Sequence, residues 1–191
     1  ERGAELVFFS PLTAAELPTT PLLGSASADC PQLLTDFLKQ IDGRTLLQVE
    51  LKRQPNAEMA EQLARTAAEA INAYTGPMTV ESFDPGLLAR FRRYGYAGPL
   101  GIVTYGYDEK SWDDDLSPRD RMMLRHLLHW PWSRFSFISC RVTSLDLPAV
   151  RFFRSLGMPV TAWTIRTPEE RRLANGKSDQ IVFEGFDPES V

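Results

Sequence analysis

The sequence contains little of what several protein classes require. Its 191 residues carry a formal charge of −4, so there is no overall excess of positive charge to indicate a nucleic-acid partner. No apolar run is long enough to span a bilayer and no signal-peptide pattern opens the chain, so we expect a cytoplasmic protein without a transmembrane segment. The two cysteines, Cys30 and Cys140, lie far apart without metal-ligand spacing, which favours core positions over a disulfide or a ligand pair.

The composition is that of an ordinary globular domain. With 43% hydrophobic and 24% charged residues the chain can bury a substantial core, and we interpret residues 1–191 as one domain. The chain begins with Glu1-Arg2-Gly3 instead of methionine, so we expect it to be part of a longer protein.

Strand and helix patterns alternate from residue 32 onward. Helical spacing of apolar residues predicts a first helix at 32–41. Six strands follow, separated by five helices that include 57–74, 117–129 and 148–156; the strands are 46–52, 78–83, 100–105, 135–140, 159–165 and 180–183. Strict alternation implies parallel strands joined by right-handed crossovers, which fits an open doubly wound sheet or a closed barrel.

The position of the polar residues favours the barrel. No glycine-rich phosphate fingerprint follows any predicted strand, which counts against a dinucleotide-binding sheet. Barrel active sites gather at the carboxyl ends of the strands. Polar or aromatic candidates occur there on most strands, namely Glu50, Lys52, Ser82, Tyr105, Arg141 and Trp163. A full barrel has about eight units in roughly 250 residues. We therefore predict the (β/α)8 TIM-barrel type, with about six of eight βα units present.

The strand at 46–52 carries an unusual polar face. Side chains alternate along a strand, so Gln48, Glu50 and Lys52 point to one side. One interpretation is a one-sided antiparallel sheet with these groups in water. The other is a functional cleft, which the barrel pattern favours.

Four motifs on alternating units resemble the glycerophosphodiester phosphodiesterase family over roughly residues 12–188. They are Val49-Glu50-Leu51-Lys52, Val80-Glu81-Ser82-Phe83-Asp84-Pro85, Gly157-Met158-Pro159-Val160-Thr161-Ala162-Trp163-Thr164-Ile165 and Asp179-Gln180-Ile181-Val182-Phe183-Glu184. The resemblance implies a barrel phosphodiesterase, the carboxyl-terminal three-quarters of which is present here. It implies a small-molecule glycerophosphodiester as substrate, with glycerol 3-phosphate and an alcohol as products.

The resemblance also implies roles for four residues. Glu50 stands where the family has a carboxylate ligand of a divalent cation, Ca²⁺ or Mg²⁺, and Lys52 stands where a lysine reaches the phosphate. Trp163 matches the tryptophan that lines the glycerol pocket, and Ser82 matches a residue that we expect in the pocket wall. Ile165-Arg166 and Glu184-Gly185-Phe186 depart from the usual pattern, at positions that concern fine substrate contacts and not the metal.

The family's two catalytic histidines and its other acidic metal ligands precede the segment that matches, so no catalytic residue is assigned in this chain. One alignment, which we favour, leaves the first two βα units outside the sequence. The other makes residues 6–10 the second strand, with Phe9-Ser10 in place of a catalytic histidine motif, and gives a protein that does not hydrolyse. The alternative function is then a non-catalytic barrel that binds phosphate or a lipid headgroup. Histidines in the sequence upstream would decide for the enzyme.

Two further features have competing interpretations. His126 and His129 share a helix face, but they fall late in a crossover helix, near the bottom of a barrel, so we interpret them as structural. The acidic loop at 105–115 is either a rim that contacts the leaving alcohol or a solvated connection before the Ser117 cap.

Overall fold

The computed structural model describes residues 13, 15–22, 24–108 and 116–190. Its six strands are β1 (Leu47–Glu50), β2 (Met78–Ser82), β3 (Leu100–Thr104), β4 (Phe137–Arg141), β5 (Val160–Ile165) and β6 (Gln180–Phe183). Its helices are α1 (Leu34–Ile41), α2 (Ala57–Asn72), α3 (Pro85–Arg93), α4 (Pro118–Arg125), α5 (Trp130–Ser133), α6 (Pro148–Ser155) and α7 (Pro168–Ala174). Short 3-10 turns occur at Leu17–Thr19, Val142–Ser144 and Pro188–Ser190.

The strands form one parallel sheet in the order β1-β2-β3-β4-β5-β6. Each strand pairs with the next in the sequence, and the sheet curls into a half-barrel. Within the described ranges β1 and β6 do not pair with each other, so each leaves one edge open. The predicted α/β class, parallel pairing and six strands are confirmed.

The main core lies between the sheet and its covering helices. Alternate strand residues such as Val80, Ile102 and Ile138 are completely buried, and they pack with Leu87 and Phe91 of α3. The alternation of the strands therefore sends one set of side chains into this core and the other set to the concave side of the sheet.

Side-chain caps fix the first residues of the helices that follow β1, β2, β3 and β5, and so fix where the loops before them end. The side chain of Asn56 accepts a hydrogen bond from the Met59 amide at 2.9 Å to start α2, and Asp84 accepts one from Gly86 at 2.7 Å to start α3. Ser117 and Thr167 cap α4 and α7 in the same way. Proline follows at the first turn of α3, α4 and α7, where its missing N–H costs nothing.

The predicted helix at 117–129 is wrong at its carboxyl end. α4 stops at Arg125, Leu127 takes a left-handed conformation with φ 53°, and α5 begins at Trp130. Pro131 explains the break, because its ring fits the first turn of a new helix but not the interior of an old one. The third crossover, from β3 to β4, therefore contains two helices instead of one.

The two cysteines differ in burial, and both are free thiols. Cys140 is fully buried, burial raises the pKa of its thiol to about 12, and neither cysteine forms a disulfide. Cys30 is only half-buried, so just one of the two is a core residue.

No helix in the part of the chain that the structure describes is long and apolar enough to cross a membrane.

His129 is a structural residue, as interpreted from the sequence. Its ring is completely buried between Trp132 and Phe135, and Nδ1 lies 2.9 Å from the Ser133 hydroxyl oxygen. Nε2 is buried and forms no hydrogen bond with any described residue. Burial lowers the pKa of His129 to about 4, so the ring is neutral near pH 7. His126 lies exposed just after α4.

We predict that His129 makes the protein sensitive to mild acid. The unfolded chain protonates this group below its ordinary pKa of 6.5, whereas the folded chain resists protonation until about pH 4. The free energy of unfolding should therefore fall by about 2 to 3 kcal/mol from this residue as the pH drops from 7 to 4.5. Urea titrations at both pH values measure it. His129→Asn should remove this part of the pH dependence, and His126→Gln should retain it. If the free energy of unfolding falls by the same amount between pH 7 and pH 4.5 in wild type and in His129→Asn, the assignment is contradicted.

Candidate functional site

A cleft of about 590 Å³ opens at the carboxyl ends of the strands, on the concave side of the sheet. Its lining comes from β1, β2, β3, β5 and β6, from the loops that follow β1, β2 and β3, and from α4. The residues are Glu50, Lys52, Arg53, Glu81, Phe83, Val103, Tyr105, Tyr107, Leu116, Leu124, Trp163, Thr164 and Val182. Three of the four residues predicted for the site, Glu50, Lys52 and Trp163, meet here.

Glu50 and Lys52 form an ion pair at the mouth of the cleft. Lys52 Nζ lies 2.7 Å from Glu50 Oε2, and the exposed fractions of the two side chains are 74% for lysine and 27% for glutamate. The second carboxylate oxygen, Glu50 Oε1, is buried and has no hydrogen-bond partner among the described residues. Buried carboxylate oxygens are normally satisfied, so this atom has free capacity to bind a cation or a donor.

A second carboxylate, Glu81, lies beside Glu50. The two residues are partners in the parallel register of β1 and β2, and the Gln48 amide donates a hydrogen bond of 2.6 Å to Glu81 Oε2. Burial raises the pKa of Glu81, and the charge of Glu50 acts in the same direction. The groups of Gln48, Ser139 and Lys52 oppose that rise. The site therefore holds two neighbouring carboxylates, one of which is easier to protonate than usual.

Sequence reasoning did not select Glu81, although the signal was present. Glu81 in β2 and Phe83 just after it are two residues apart, so their side chains point to the same face of the sheet. The pairing of β1 with β2 sets Glu81 opposite Glu50. The resemblance directed attention to Ser82 instead.

Ser82 does not form part of the cleft wall, which corrects the expectation for this residue. Its side chain is completely buried, donates to the Leu51 carbonyl oxygen at 2.6 Å and accepts from the Asp84 amide at 3.0 Å. Because side chains alternate, a strand that directs Glu81 and Phe83 into the cleft directs Ser82 to the other face. Ser82 joins the end of β1 to the start of α3.

Aromatic rings form the opposite wall of the cleft. Phe83 makes edge contacts with Tyr105 and Trp163, with ring centroids 6.1 and 5.8 Å apart, and Tyr105 stacks on Tyr107 at 4.1 Å. Trp163 Nε1 is buried and forms no hydrogen bond with any described residue, so it is available as a donor to a ligand. The tyrosines begin the loop discussed above; residues 109–115 of that loop, including its run of three aspartates, lie outside the described residues.

A divalent cation would find part of its ligand set here. Ca²⁺ and Mg²⁺ take oxygen ligands, about six to eight of them for Ca²⁺. Glu50 Oε1 fits as one ligand and Glu81 is the nearest further carboxylate on the sheet. Across the described ranges no group of three or more histidine, cysteine, aspartate or glutamate side chains converges. These residues therefore supply a portion of a hard-cation site and not a complete one.

A smaller recess of about 360 Å³ adjoins the cleft, with which it shares Arg53, Phe83, Leu116 and Leu124. Its further lining includes Gln54, Asn56, Asp84, Arg90, Asp120 and Trp132. The recess mixes these polar side chains with apolar ones such as Ala60, Pro85 and Met123, and it lies between the starts of α2 and α3 and the body of α4.

The remaining candidates lie away from the cleft. Arg141, which ends β4, is not among the cleft residues. Neither histidine lines the cleft, since His126 is exposed beyond α4 and His129 is buried beside α5. The described residues therefore bring carboxylates, cations and aromatic rings together, but no imidazole.

Comparison with solved structures identifies the fold. A glycerophosphodiester phosphodiesterase from Parabacteroides distasonis has a TM-score of 0.63 and 19% identity, with 90% of this chain and 66% of that chain covered. One from Thermotoga maritima has a TM-score of 0.60 and 17% identity, with 90% and 65% covered. The fold is that of glycerophosphodiester phosphodiesterases. An Oleispira antarctica phosphodiesterase, solved with its product sn-glycerol-3-phosphate, has a TM-score of 0.51 and 14% identity, with 70% and 50% covered.

The chain spans between half and two thirds of the length of these structures. No protein-family model matches the sequence, and no curated protein matches it. The similarity therefore rests on the three-dimensional arrangement and establishes the fold.

We predict that Glu81→Gln changes the pH dependence of stability. A group with a raised pKa stabilises the folded state most at low pH, and that contribution is lost as the pH rises through the folded-state value. Glutamine keeps the shape but removes the buried charge next to Glu50. The variant should therefore gain melting temperature relative to wild type at pH 7 and show less of a gain at pH 4.5.

The exposed Glu69→Gln on α2 is the matched control, and its melting temperature should stay within experimental error of wild type at both pH values. A Glu81→Gln protein that melts lower than wild type at pH 7 would show that the charged carboxylate stabilises the fold.

Proposed function

We propose that this chain is the carboxyl-terminal part of a glycerophosphodiester phosphodiesterase. The complete protein would hydrolyse a small-molecule glycerophosphodiester to glycerol 3-phosphate and an alcohol. Residues 1–191 form a single domain in this proposal, about six of the eight βα units of a TIM barrel. Residues 1–191 alone would be inactive.

One observation carries the proposal. The motifs that resemble the family lie on β1, β2, β5 and β6. β1 and the residues after it bring Glu50 and Lys52 to the cleft, and β5 brings Trp163 to the same cleft. The fold is the one seen in phosphodiesterases of this kind, so sequence motif and strand position agree independently. A chance match of short motifs would not be expected to converge at the carboxyl ends of strands.

The open edges of the sheet support the proposal that the complete protein contains additional βα units. Leu46 beside β1 is 62% exposed, and Phe183 at the end of β6 is 49% exposed. Parallel sheets are normally covered on both faces, and barrels leave no free edge. Two further βα units between β6 and β1 would cover these side chains and pair both edges.

Lys52 and Glu50 would act on the phosphate group. The Lys52 side chain is 74% exposed and lines the cleft, so its charge would pair with a phosphate oxygen and stabilise negative charge that grows during hydrolysis. Glu50 would hold the divalent cation, Ca²⁺ or Mg²⁺, through its unpartnered oxygen. When bound, such a cation acts as a Lewis acid on the phosphoryl oxygens. Trp163 and Phe83 would pack against the glycerol carbons.

The proton transfers would need groups from outside residues 1–191. Hydrolysis of a diester requires a base for the attacking water and an acid for the leaving alkoxide. The two histidines of this chain do not reach the cleft. The leaving alcohol would extend from the phosphate past Arg53 into the adjoining recess, which offers both polar and apolar side chains.

The second candidate is a non-catalytic barrel that binds phosphate or a lipid headgroup. The absence of an imidazole among the described cleft residues favours it, because Lys52, Arg53 and the aromatic wall suffice for binding. The two functions differ in turnover and not in ligand chemistry.

The decisive experiment uses Glu50→Gln in the complete protein. We expect metal-dependent release of glycerol phosphate from a glycerophosphodiester to fall by about 100-fold or more, since a ligand charge is lost. Glu58→Gln, on the exposed first turn of α2, is the control and should leave turnover unchanged. Wild-type turnover in Glu50→Gln would reject this role. A complete protein that binds glycerol phosphate by calorimetry without any turnover would select the binding function.

A further inference from the structure

The distribution of charge along the chain is strongly uneven. Residues 121–168 contain seven arginines, no lysine and one acidic residue, Asp146, a formal charge of +6 in a chain whose total is −4. This segment includes α5, β4, α6 and β5. Not all of these arginines lie on the helical side, because Arg141 ends β4 and Arg166 follows β5 and pairs with Glu184. The charge that concerns the helices α5 and α6 comes from Arg134, Arg151 and Arg154.

Large apolar side chains are exposed on the same helices. Phe152 is 58% exposed and Leu156 is 67% exposed, one turn apart at the end of α6. Trp130 of α5 is 43% exposed, and its ring packs 5.8 Å from Phe153, which also contacts Phe152 at 5.5 Å. Trp130 and Phe152 therefore both pack on Phe153, and Phe152 and Leu156 lie four residues apart on the same side of α6.

Two arginines flank these apolar side chains without an ion-pair partner. Arg134 follows α5 and Arg151 precedes Phe152, both are exposed, and neither forms an ion pair with any described residue. Arg154 differs, because it pairs with Asp179 at 2.6 Å and is neutralised. We define the α5–α6 surface by its apolar and cationic members, which are Trp130, Arg134, Arg151, Phe152 and Leu156.

We propose that the α5–α6 surface binds an anionic lipid membrane. Exposed aromatic and aliphatic side chains insert at the boundary between headgroups and acyl chains, where tryptophan is enriched. Unpaired arginines nearby are attracted to anionic headgroups. Apolar insertion and basic charge are the two signals that together give stable peripheral binding.

The geometry leaves the cleft accessible during such binding. Trp130, Phe152 and Leu156 are not among the residues that line the cleft or the adjoining recess, although Trp132 of α5 lines the recess. Docking would hold the protein at a lipid surface with its cleft open to solvent. The proposal does not depend on the phosphodiesterase assignment.

The composition of the surface favours lipid over the other occupants. Leu156 and Phe152 are its most exposed members, and they offer nothing to a nucleic-acid phosphate backbone, whose affinity comes from many cationic contacts. A second copy of the same surface would oppose arginine to arginine, which weakens self-association.

The test is sedimentation of the full-length protein with vesicles of phosphatidylserine and phosphatidylcholine against pure phosphatidylcholine. We expect binding to the mixed vesicles alone, and binding should weaken as NaCl rises. Arg134→Gln with Arg151→Gln should reduce the affinity by about 25-fold, about fivefold per arginine. Phe152→Ser with Leu156→Ser should abolish sedimentation, and circular dichroism melting checks that each variant is folded.

The control replaces residues of similar exposure on α7. Leu173 is 49% exposed and Arg172 pairs with Glu169, so Leu173→Ser with Arg172→Gln should bind vesicles as wild type does. Equal binding of wild type to both vesicle types, or undiminished binding of Phe152→Ser with Leu156→Ser, would overturn the proposal. Tight binding of a 20-base-pair DNA that survives the serine substitutions would overturn it in favour of nucleic acid. Concentration-dependent dimerisation lost in the serine variant would overturn it in favour of a second copy.

Discussion

The in-register pairing of β1 with β2 is the constraint on which the site depends. It sets Glu50 directly beside Glu81 at the end of two parallel strands, although 30 residues of chain separate them. Two neighbouring carboxylates repel each other, and the site offsets this with Lys52 on one and Gln48 on the other. The rest of the half-barrel holds that pairing in place. A slip of one residue in either strand would turn one of the carboxylates toward the helices.

Buried polar groups near the carboxyl ends of the strands differ in whether they have a hydrogen-bond partner. Ser82 is fully satisfied, bridging the end of β1 and the start of α3, and its role is architectural. Glu50 Oε1 and Trp163 Nε1 are buried at the cleft with no partner among the described residues. Unsatisfied buried groups are costly, and these two atoms, unlike the unpartnered Nε2 of His129 in the core, line a cleft in which a ligand would satisfy them.

Most of the fold followed from the sequence, whereas the site followed only in part. Alternating helix and strand periods with clear caps are local signals, and they predicted six parallel strands. The break after α4 was missed because left-handed Leu127 has no signature in its side chain. Glu81 was missed because its importance arises from register, which links residues distant in sequence. Ser82 was misplaced because a motif match identifies a position and does not say which face of the strand it occupies.

The open side of the half-barrel has a practical consequence for handling residues 1–191 in isolation. Among the described residues β1 and β6 each have one edge without a strand partner, and β6 adds the exposed side chains of Val182 and Phe183. Such a strand is a template on which another extended chain assembles. In concentrated solution the isolated chain would therefore associate edge to edge into oligomers. A polypeptide segment that pairs with the free edges of β1 and β6 would prevent this association.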